Sequence, residues 1–282
     1  MISSKTELTS DAVALHYDEL DHFYREIWGE HVHHGLWITG RESHQKAVLQ
    51  LVDLVAKEAG IKPGDKVCDV GCGYGATARK IAQDHQAEVT ALTVSRAQNQ
   101  FAIDKDPAST NPHYILCDWL KNDLPPESFD VVIAIESSEH MPDKAAFFSE
   151  AFRVLRPGGR AVVTAWLARE EASGFENRFL LEPVCREGRM PHMGTALDYQ
   201  HFFEKAGFNF ESFRDLTKQV KRTWPICAVH FFINLCRKPA YARFLFNKHS
   251  QNRIFALTMF RIWLAYNTGS MRYGIFTARK PL

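Results

Sequence analysis

The sequence predicts an open α/β domain, a mostly parallel sheet with helices on both faces, extended by a helical cap rich in aromatic residues. Three observations predict it. Between Lys66 and Ala165 short apolar segments alternate with helical ones, and strand–helix alternation gives parallel sheets covered on both sides. The segment Phe129–Ile135 is almost continuously apolar, as a strand buried on both faces must be. The stretch Gly71-Cys72-Gly73-Tyr74-Gly75 sits between a strand and a helix, where glycine permits a tight turn and close approach of a ligand to the backbone.

Residues 11–37 mix aromatic with polar groups, including Tyr17, Phe23, Tyr24, Trp28 and Trp37, and read as a helix followed by an irregular segment. Residues 44–60 carry apolar positions at helical spacing (Val48, Leu51, Val52, Val55) and stop at Gly60. Strands are expected over 66–70, 88–94, 113–117, 129–135 and 161–165. Helices alternate with them over 77–84, in the stretch that Ser95 caps, and over 144–155; residues 156–159 read as a turn. Beyond Arg169 the regularity weakens. A helix over 197–206 ends at Gly207, and strands follow over 208–216 and 273–278. Residues 225–268 hold Phe231, Phe232, Tyr241, Phe244, Phe246, Phe255, Phe260, Trp263 and Tyr266, and read as helices. Three roles fit that stretch: a face for a membrane surface, a lid over an apolar pocket, or plain helical core. The expected organisation is a helical segment over 1–60 closing over a ligand, a ligand-binding core over 61–168, and a substrate cap with the last strands over 169–282.

The 282 residues are 45% hydrophobic and 24% charged, which is ordinary globular composition for one large domain with an elaborated cap. A net charge of +1 gives no broad basic surface for nucleic acid. The six cysteines form no Cys-x-x-Cys pair and read as free thiols of a reducing compartment. The first ten residues are polar, and no stretch reaches the roughly 18 apolar residues of a spanning helix. The expectation is a soluble, cytoplasmic protein.

The glycine loop narrows the ligand. It lacks Gly-Lys-Ser/Thr, which argues against a nucleoside triphosphate. Its spacing is Gly71-x-Gly73-x-Gly75 after Asp69, not the dinucleotide Gly-x-Gly-x-x-Gly. Asp69 at the strand end would repel a pyrophosphate and suits a ligand carrying an ammonium group, such as the methionine part of S-adenosylmethionine.

The segment from Lys66 to Trp166 resembles the class I S-adenosylmethionine-dependent methyltransferases, in particular the group holding tocopherol, sterol and sugar methyltransferases and cyclopropane fatty acid synthases. The residues that carry the likeness run from Asp69 to Gly75, Leu92 to Ser95 with Gln98, Cys117-Asp118, Glu136 to Asp143, and Val154 to Gly159. Tyr17-Asp18, Ile27 to Glu30 with His33-His34-Gly35, and the closing Arg272 to Thr277 resemble the tocopherol branch. The resemblance implies a Rossmann-like, seven-stranded, mostly parallel sheet and S-adenosyl-L-methionine as cofactor. It implies cofactor contacts at Tyr17, Gly35, Asp69, Gly71, Gly73, Gly75, Thr93, Val94, Gln98, Asp118, Trp119 and Glu136, with Trp28 in the segment that closes over the cofactor. The second strand ends in Thr93-Val94-Ser95 where most class I enzymes have an acidic residue for the ribose; Thr93 and Gln98 are expected to replace it. Asp118 is expected to accept from the adenine amino group.

Glu136, Glu139 and His140 follow a central strand, at the end of a parallel sheet where ligands bind. A desolvated carboxylate or an imidazole can take up a proton near neutral pH, so Glu139 and His140 are candidate bases; the alternative is that they cap the next helix and satisfy buried backbone. His31, His33 and His34 cluster without a metal spacing, and no metal is expected. Trp166 and Trp224 are expected to line an acceptor pocket, and the aromatic cap favours an apolar acceptor: a prenylated phenol or quinol, an alkaloid or a terpenoid. A second reading is methylation of a prenyl diphosphate alkene through a carbocation, with Lys218, Lys221 and Arg222 meeting the diphosphate or simply forming a solvated edge. A third is a non-catalytic cofactor-binding protein. A homo-oligomer and peripheral membrane contact stay open.

Overall fold

The computed structural model describes residues 1–105, 107–246 and 255–282. Its centre is a seven-stranded sheet of β1 (Lys66–Val70), β2 (Glu88–Thr93), β3 (His113–Leu116), β4 (Phe129–Ile135), β5 (Leu155–Ala168), β6 (Asn209–Asp215) and β7 (Met271–Arg279). The spatial order is β3-β2-β1-β4-β5-β7-β6. The first five strands pair in parallel, and β7 runs antiparallel between β5 and β6. Strand order therefore reverses between β1 and β4, which creates a crevice at their carboxyl ends. In β4 only Asp130 is not fully buried, which explains its continuous apolar run.

The helices come from predictable local causes. In α1 (Ser10–Ile27) Thr9 caps the amino end and Val13, Leu20 and Ile27 face inward. Ser43 caps α2 (His44–Ala59), and Gly60 ends it in the left-handed conformation at φ 63°. Between strands lie α3 (Ala76–His85), α4 (Arg96–Lys105) and α5 (Lys144–Val154). The expected turn at 156–159 is a bulge: β5 begins at Leu155, and its register against β4 shifts across these residues.

The cap contains elements the sequence pattern did not reveal. A short turn at Gly174–Glu176 leads through a π-helical turn, Asn177–Leu181, into α6 (Glu182–Glu187). Strand Ile2–Ser3 pairs with His192–Met193, tying the amino terminus to the cap. Then come α7 (Ala196–Lys205), α8 (Thr223–Arg237), α9 (Pro239–Phe246) and α10 (Phe255–Thr268). The aromatic stretch is thus helical where described; its residues 247–254, and the side chains of Phe244, Phe246 and Phe255, lie outside the described ones. No described helix is long and apolar enough to cross a membrane.

Candidate active site at the crevice

Two cavities meet above the sheet. The first, of about 600 Å³, lies at the carboxyl ends of β1, β2 and β4 and is lined by Gly71, Gly73, Thr93, Val94, Gln98 and Trp119 among others. The second, of about 750 Å³, lies under the cap against Tyr24, Trp28, Trp166, Met190, Trp224 and Ile262 among others. Tyr17, Val32, Glu136 and His140 line both.

The loop after β1 is built for close approach. Gly71, Gly73 and Gly75 all have positive φ. A Cβ at Gly71 would lie 2.3 Å from that of Ser137, and one at Gly75 would strike the Tyr114 ring at 2.5 Å, so these two shape the turn. A Cβ at Gly73 would meet no atom within 4 Å, leaving clear space on the cavity side. Asp69 is 2% exposed, and its Oδ2 has no hydrogen-bond partner. Burial alone raises its pKa to about 7, the signature of a carboxylate lacking its cation. Thr93 donates to Gln98 Oε1 at 2.9 Å, so the ribose candidates form one buried polar pair. Trp119 is buried, with its indole N–H committed to Phe147 O.

Gly35, Gly75 and Asp118 are not among the residues that border the first cavity. Gly35 donates to Thr223 Oγ1 at 3.0 Å, and a Cβ there would meet Ala47 and Trp37 within 2.8 Å, so packing demands this glycine. Gly75 starts α3. Asp118 caps the short helical turn Trp119–Lys121 by accepting from Leu120 N and borders a separate groove beside the amino-terminal residues. Trp28 lines the cavity under the cap, not the one beside the glycine loop.

Glu136 organises the second cavity. Its backbone φ is 54°, a left-handed value that non-glycine residues adopt at a cost of roughly 1–3 kcal/mol. Its carboxylate accepts four hydrogen bonds: His34 N at 2.7 Å, His34 Nδ1 at 2.9 Å, Trp166 Nε1 at 2.7 Å and Tyr273 OH at 2.8 Å. Burial works against ionisation here, yet the facing His34 and the donors on its oxygens bring the pKa down to about 2. Trp224 Nε1 donates to His34 Nε2 at 2.8 Å, and Tyr266 OH reaches the same nitrogen at 3.2 Å. An indole N–H only donates, so His34 keeps its lone pair at Nε2 and its proton at Nδ1. Trp166 and Trp224, expected to line an acceptor pocket, both line the second cavity; the bonds of His34 and Tyr273 to Glu136 were not foreseen, although both lie in segments that carry the family likeness, His33-His34-Gly35 and Arg272 to Thr277. No local spacing signals either. His31 and His33 bond to each other at 3.3 Å.

The residues after Glu136 divide in function. The helix cap is Asp143, which accepts from Ala146 N at 2.9 Å, so neither Glu139 nor His140 is needed for it. Glu139 accepts from Trp166 N at 2.6 Å and from Ser138 Oγ at 3.1 Å, and burial raises its pKa. The adjoining Lys144, also buried, is lowered by the same desolvation and donates to the carbonyls of Ser138 and Glu139. His140 lies between Arg189 O, 3.0 Å from Nδ1, and Tyr17 OH, 2.9 Å from Nε2. A carbonyl only accepts, so Nδ1 carries the proton and Nε2 accepts from Tyr17. Burial lowers His140 to about 4 and raises Tyr17 well above its ordinary value.

Lys218, Lys221 and Arg222 line neither cavity. All three are exposed, Lys221 reaching Asn267 and Arg222 reaching Gly40 O. Their exposure fits the solvated edge.

A sheet of this order, with a glycine loop at the strand reversal and an unpartnered buried acid beneath it, defines an S-adenosylmethionine-dependent methyltransferase. The chain belongs to the mycolic acid cyclopropane synthetase family, whose sequence model matches residues 4–273. It is 30% identical to the 27-O-demethylrifamycin SV methyltransferase of Amycolatopsis mediterranei (strain S699), over 98% of this chain and 99% of that protein. It is 29% identical to the chloroplastic tocopherol O-methyltransferase of Arabidopsis thaliana, over 99% of this chain and 85% of the relative. Among solved structures it resembles the [4+2]-cyclase SpnF, with a TM-score of 0.80 and 26% identity over 99% of this chain and all of that one. The residues present fit the cofactor: a buried carboxylate oxygen without a partner, and open space over Gly73 beside a cavity lined by Thr93, Val94 and Gln98.

Proposed function

We propose that this methyltransferase alkylates a hydroxyl or amine of an apolar, ring-bearing natural product such as a prenylated phenol, a quinol or an alkaloid. The observation that carries the reading is the shared wall: Tyr17, Glu136 and His140 border both cavities, so a donor in one and an acceptor in the other meet there. The aromatic and aliphatic lining of the second cavity suits an apolar acceptor, in keeping with relatives named for rifamycin and tocopherol substrates.

S-adenosylmethionine supplies an electrophilic methyl group on a sulfonium. Asp69 would hold its ammonium, Gly71 and Gly73 would let it lie against the backbone, Thr93, Val94 and Gln98 would take the ribose, and Asp118 and Trp119 the adenine end. On the acceptor side, Trp28, Trp166 and Trp224 orient the ring system and exclude water. Tyr17 and His140 handle the proton. An acceptor hydroxyl gives its proton to Tyr17 Oη while the Tyr17 proton passes to His140 Nε2; the pair forms an imidazolium and keeps the tyrosine neutral, whereas a neutral amine is nucleophilic without the relay. A base with a pKa of about 4 does not ionise a phenol beforehand. It accepts readily from an oxygen already being methylated, whose acidity rises steeply as the new bond forms. Glu139 positions Trp166 through its backbone N–H and sets the floor of the cavity.

The test is to supply isotope-labelled S-adenosylmethionine with a panel of phenols, quinols, amines and sugars, and to look for a mass gain of one methylene. His140→Ala should lower turnover on the accepted substrate by roughly 10²–10⁴-fold with little change in S-adenosylhomocysteine affinity. Methylation of sugars alone would overturn the acceptor class. Turnover within a few-fold of wild type in His140→Ala would remove the base.

A further inference from the structure

The outer surface of the cap is apolar where a soluble protein is ordinarily polar. On α8, Val229, Phe232 and Ile233 are exposed; on α10, Leu257, Phe260 and Trp263 are. Their spacing puts each set on one side of its helix. Phe232 and Phe260 are each 55% exposed. The two helices pack together, and the π-helical turn flanks α10; Phe179 on it and Phe175 just before it lie with tilted rings 4.8 Å apart and are exposed as well. The opposite side of α10 presents Met259 and Ile262 to the acceptor cavity. One helix thus separates that cavity from a surface of apolar side chains. A helix apolar on both faces needs an apolar neighbour on each.

Charge says what that neighbour is. From Leu216 to Leu282 the sequence has twelve Lys or Arg and no Asp or Glu. The other 22 Lys and Arg share the first 215 residues with all 33 acids. The neutral total therefore conceals a cationic carboxyl-terminal quarter, in which Arg272, Arg279 and Lys280 belong to β7 and its end and Lys238 and Arg261 pair with Glu26 and Glu187. Arg237 at the end of α8, Arg243 on α9 and Arg178 beside Phe179 are exposed around the apolar surface. Pairing two copies through this face would oppose like charges. An anionic lipid surface satisfies both features, taking the aromatic residues into its interfacial layer and the cations at its headgroups.

We propose that the outer face of α8 and α10 docks on an anionic lipid bilayer and holds the acceptor cavity against it. The docking is independent of which acceptor the enzyme methylates. It is tested by sedimenting the full chain with vesicles of phosphatidylcholine alone or mixed equally with phosphatidylglycerol. The expected result is binding to the anionic vesicles, weaker binding to the neutral ones, and loss of binding as salt rises. Phe260→Ser with Trp263→Ser should weaken vesicle binding about tenfold or more, with the melting temperature and S-adenosylhomocysteine affinity kept. Arg237→Glu with Arg243→Glu, which leaves the apolar face intact, should weaken binding to anionic vesicles alone. Equal binding to both vesicle types, or wild-type binding by both double variants, overturns the proposal. So does a dimer in solution that Phe260→Ser with Trp263→Ser dissociates while vesicles bind nothing.

Discussion

The two cavities share a wall but are built by different means. The one beside the glycine loop is made by the backbone: three left-handed glycines, strand ends at a reversal of order, and the local Thr93–Gln98 pair. The one under the cap is made by side chains from four distant parts of the chain, with His34, Glu136, Trp166 and Tyr273 meeting at a single carboxylate. A backbone cavity survives most side-chain changes outside its glycines. A side-chain cavity depends on its central residue: His34 and Tyr273 are buried and Trp166 partly so, and all three aim donors at Glu136.

The largest effect expected from that difference is on stability. Glu136→Ala leaves the His34, Trp166 and Tyr273 donors without an acceptor inside the protein. Removing one partner from a buried charged network costs about 3–5 kcal/mol, a large part of a total that is typically about 5–15 kcal/mol. Urea unfolding should show this loss, and a change under 1 kcal/mol would mean that the cavity is not organised around the carboxylate.

The next effect belongs to the backbone cavity and to pH. Asp69 has a folded-state pKa of about 7, raised by burial above the ordinary carboxyl value near 4. The folded protein thus binds more protons there than the unfolded chain, and this contribution to stability, complete below about pH 4, is lost as pH rises through 7. A cofactor ammonium reverses the preference by stabilising the ionised form. Affinity for S-adenosylhomocysteine should therefore rise by up to about tenfold per pH unit from pH 5 to 7 and level off above. Asp69→Asn should flatten that profile and lessen the loss of cofactor-free stability above pH 7. Calorimetry across this range checks both; an unchanged slope in Asp69→Asn would place the titrating group elsewhere. His140 works in the opposite sense: its folded value near 4 lies below the free imidazole value, so its contribution is lost as pH falls from about 6.5 toward 4.

The same division decides what the sequence discloses. The sheet and the glycine loop were legible because their signals are local: continuous apolar strands such as Phe129–Ile135, and glycines spaced two apart behind an acid. Bounds of the core strands and helices shifted by only a residue or two, except in β5, where Arg156 to Gly159 joined as a bulge and the far end runs on to Ala168. Trp166 and Trp224 were legible as cavity residues through their places at a strand end and in an aromatic helix. His34 was not, because its importance comes from Glu136, 102 residues away, and Trp224, 190 away. Gly35 was carried over as a cofactor contact, and the packing of Ala47 and Trp37 against it, which no local pattern announces, also demands glycine there. The π-helical turn was hidden because residues 174–187 lack a sustained amphipathic period.

The smallest expected effect tests whether Asp118, between the Cys117 and Trp119 that line the backbone cavity, serves the cofactor or only the fold. One of its oxygens accepts from Leu120 N and caps the short helical turn; the proposal gives the other to the adenine amino group. Substitution by alanine removes both and should lower stability by about 1 kcal/mol while weakening S-adenosylhomocysteine roughly fivefold. That result alone does not separate the roles, because a loosened turn also displaces Trp119, which lines the cavity. Asparagine separates them. Its single carbonyl oxygen can keep the cap, but its amide N–H₂ then faces the adenine amino group, donor against donor. Asp118→Asn should therefore melt within a degree or so of wild type and still bind the cofactor analogue several-fold more weakly. Wild-type affinity in Asp118→Asn, with weakened affinity and a lowered melting temperature in Asp118→Ala, would assign the residue to the turn alone and leave the adenine held by the backbone and the Trp119 ring.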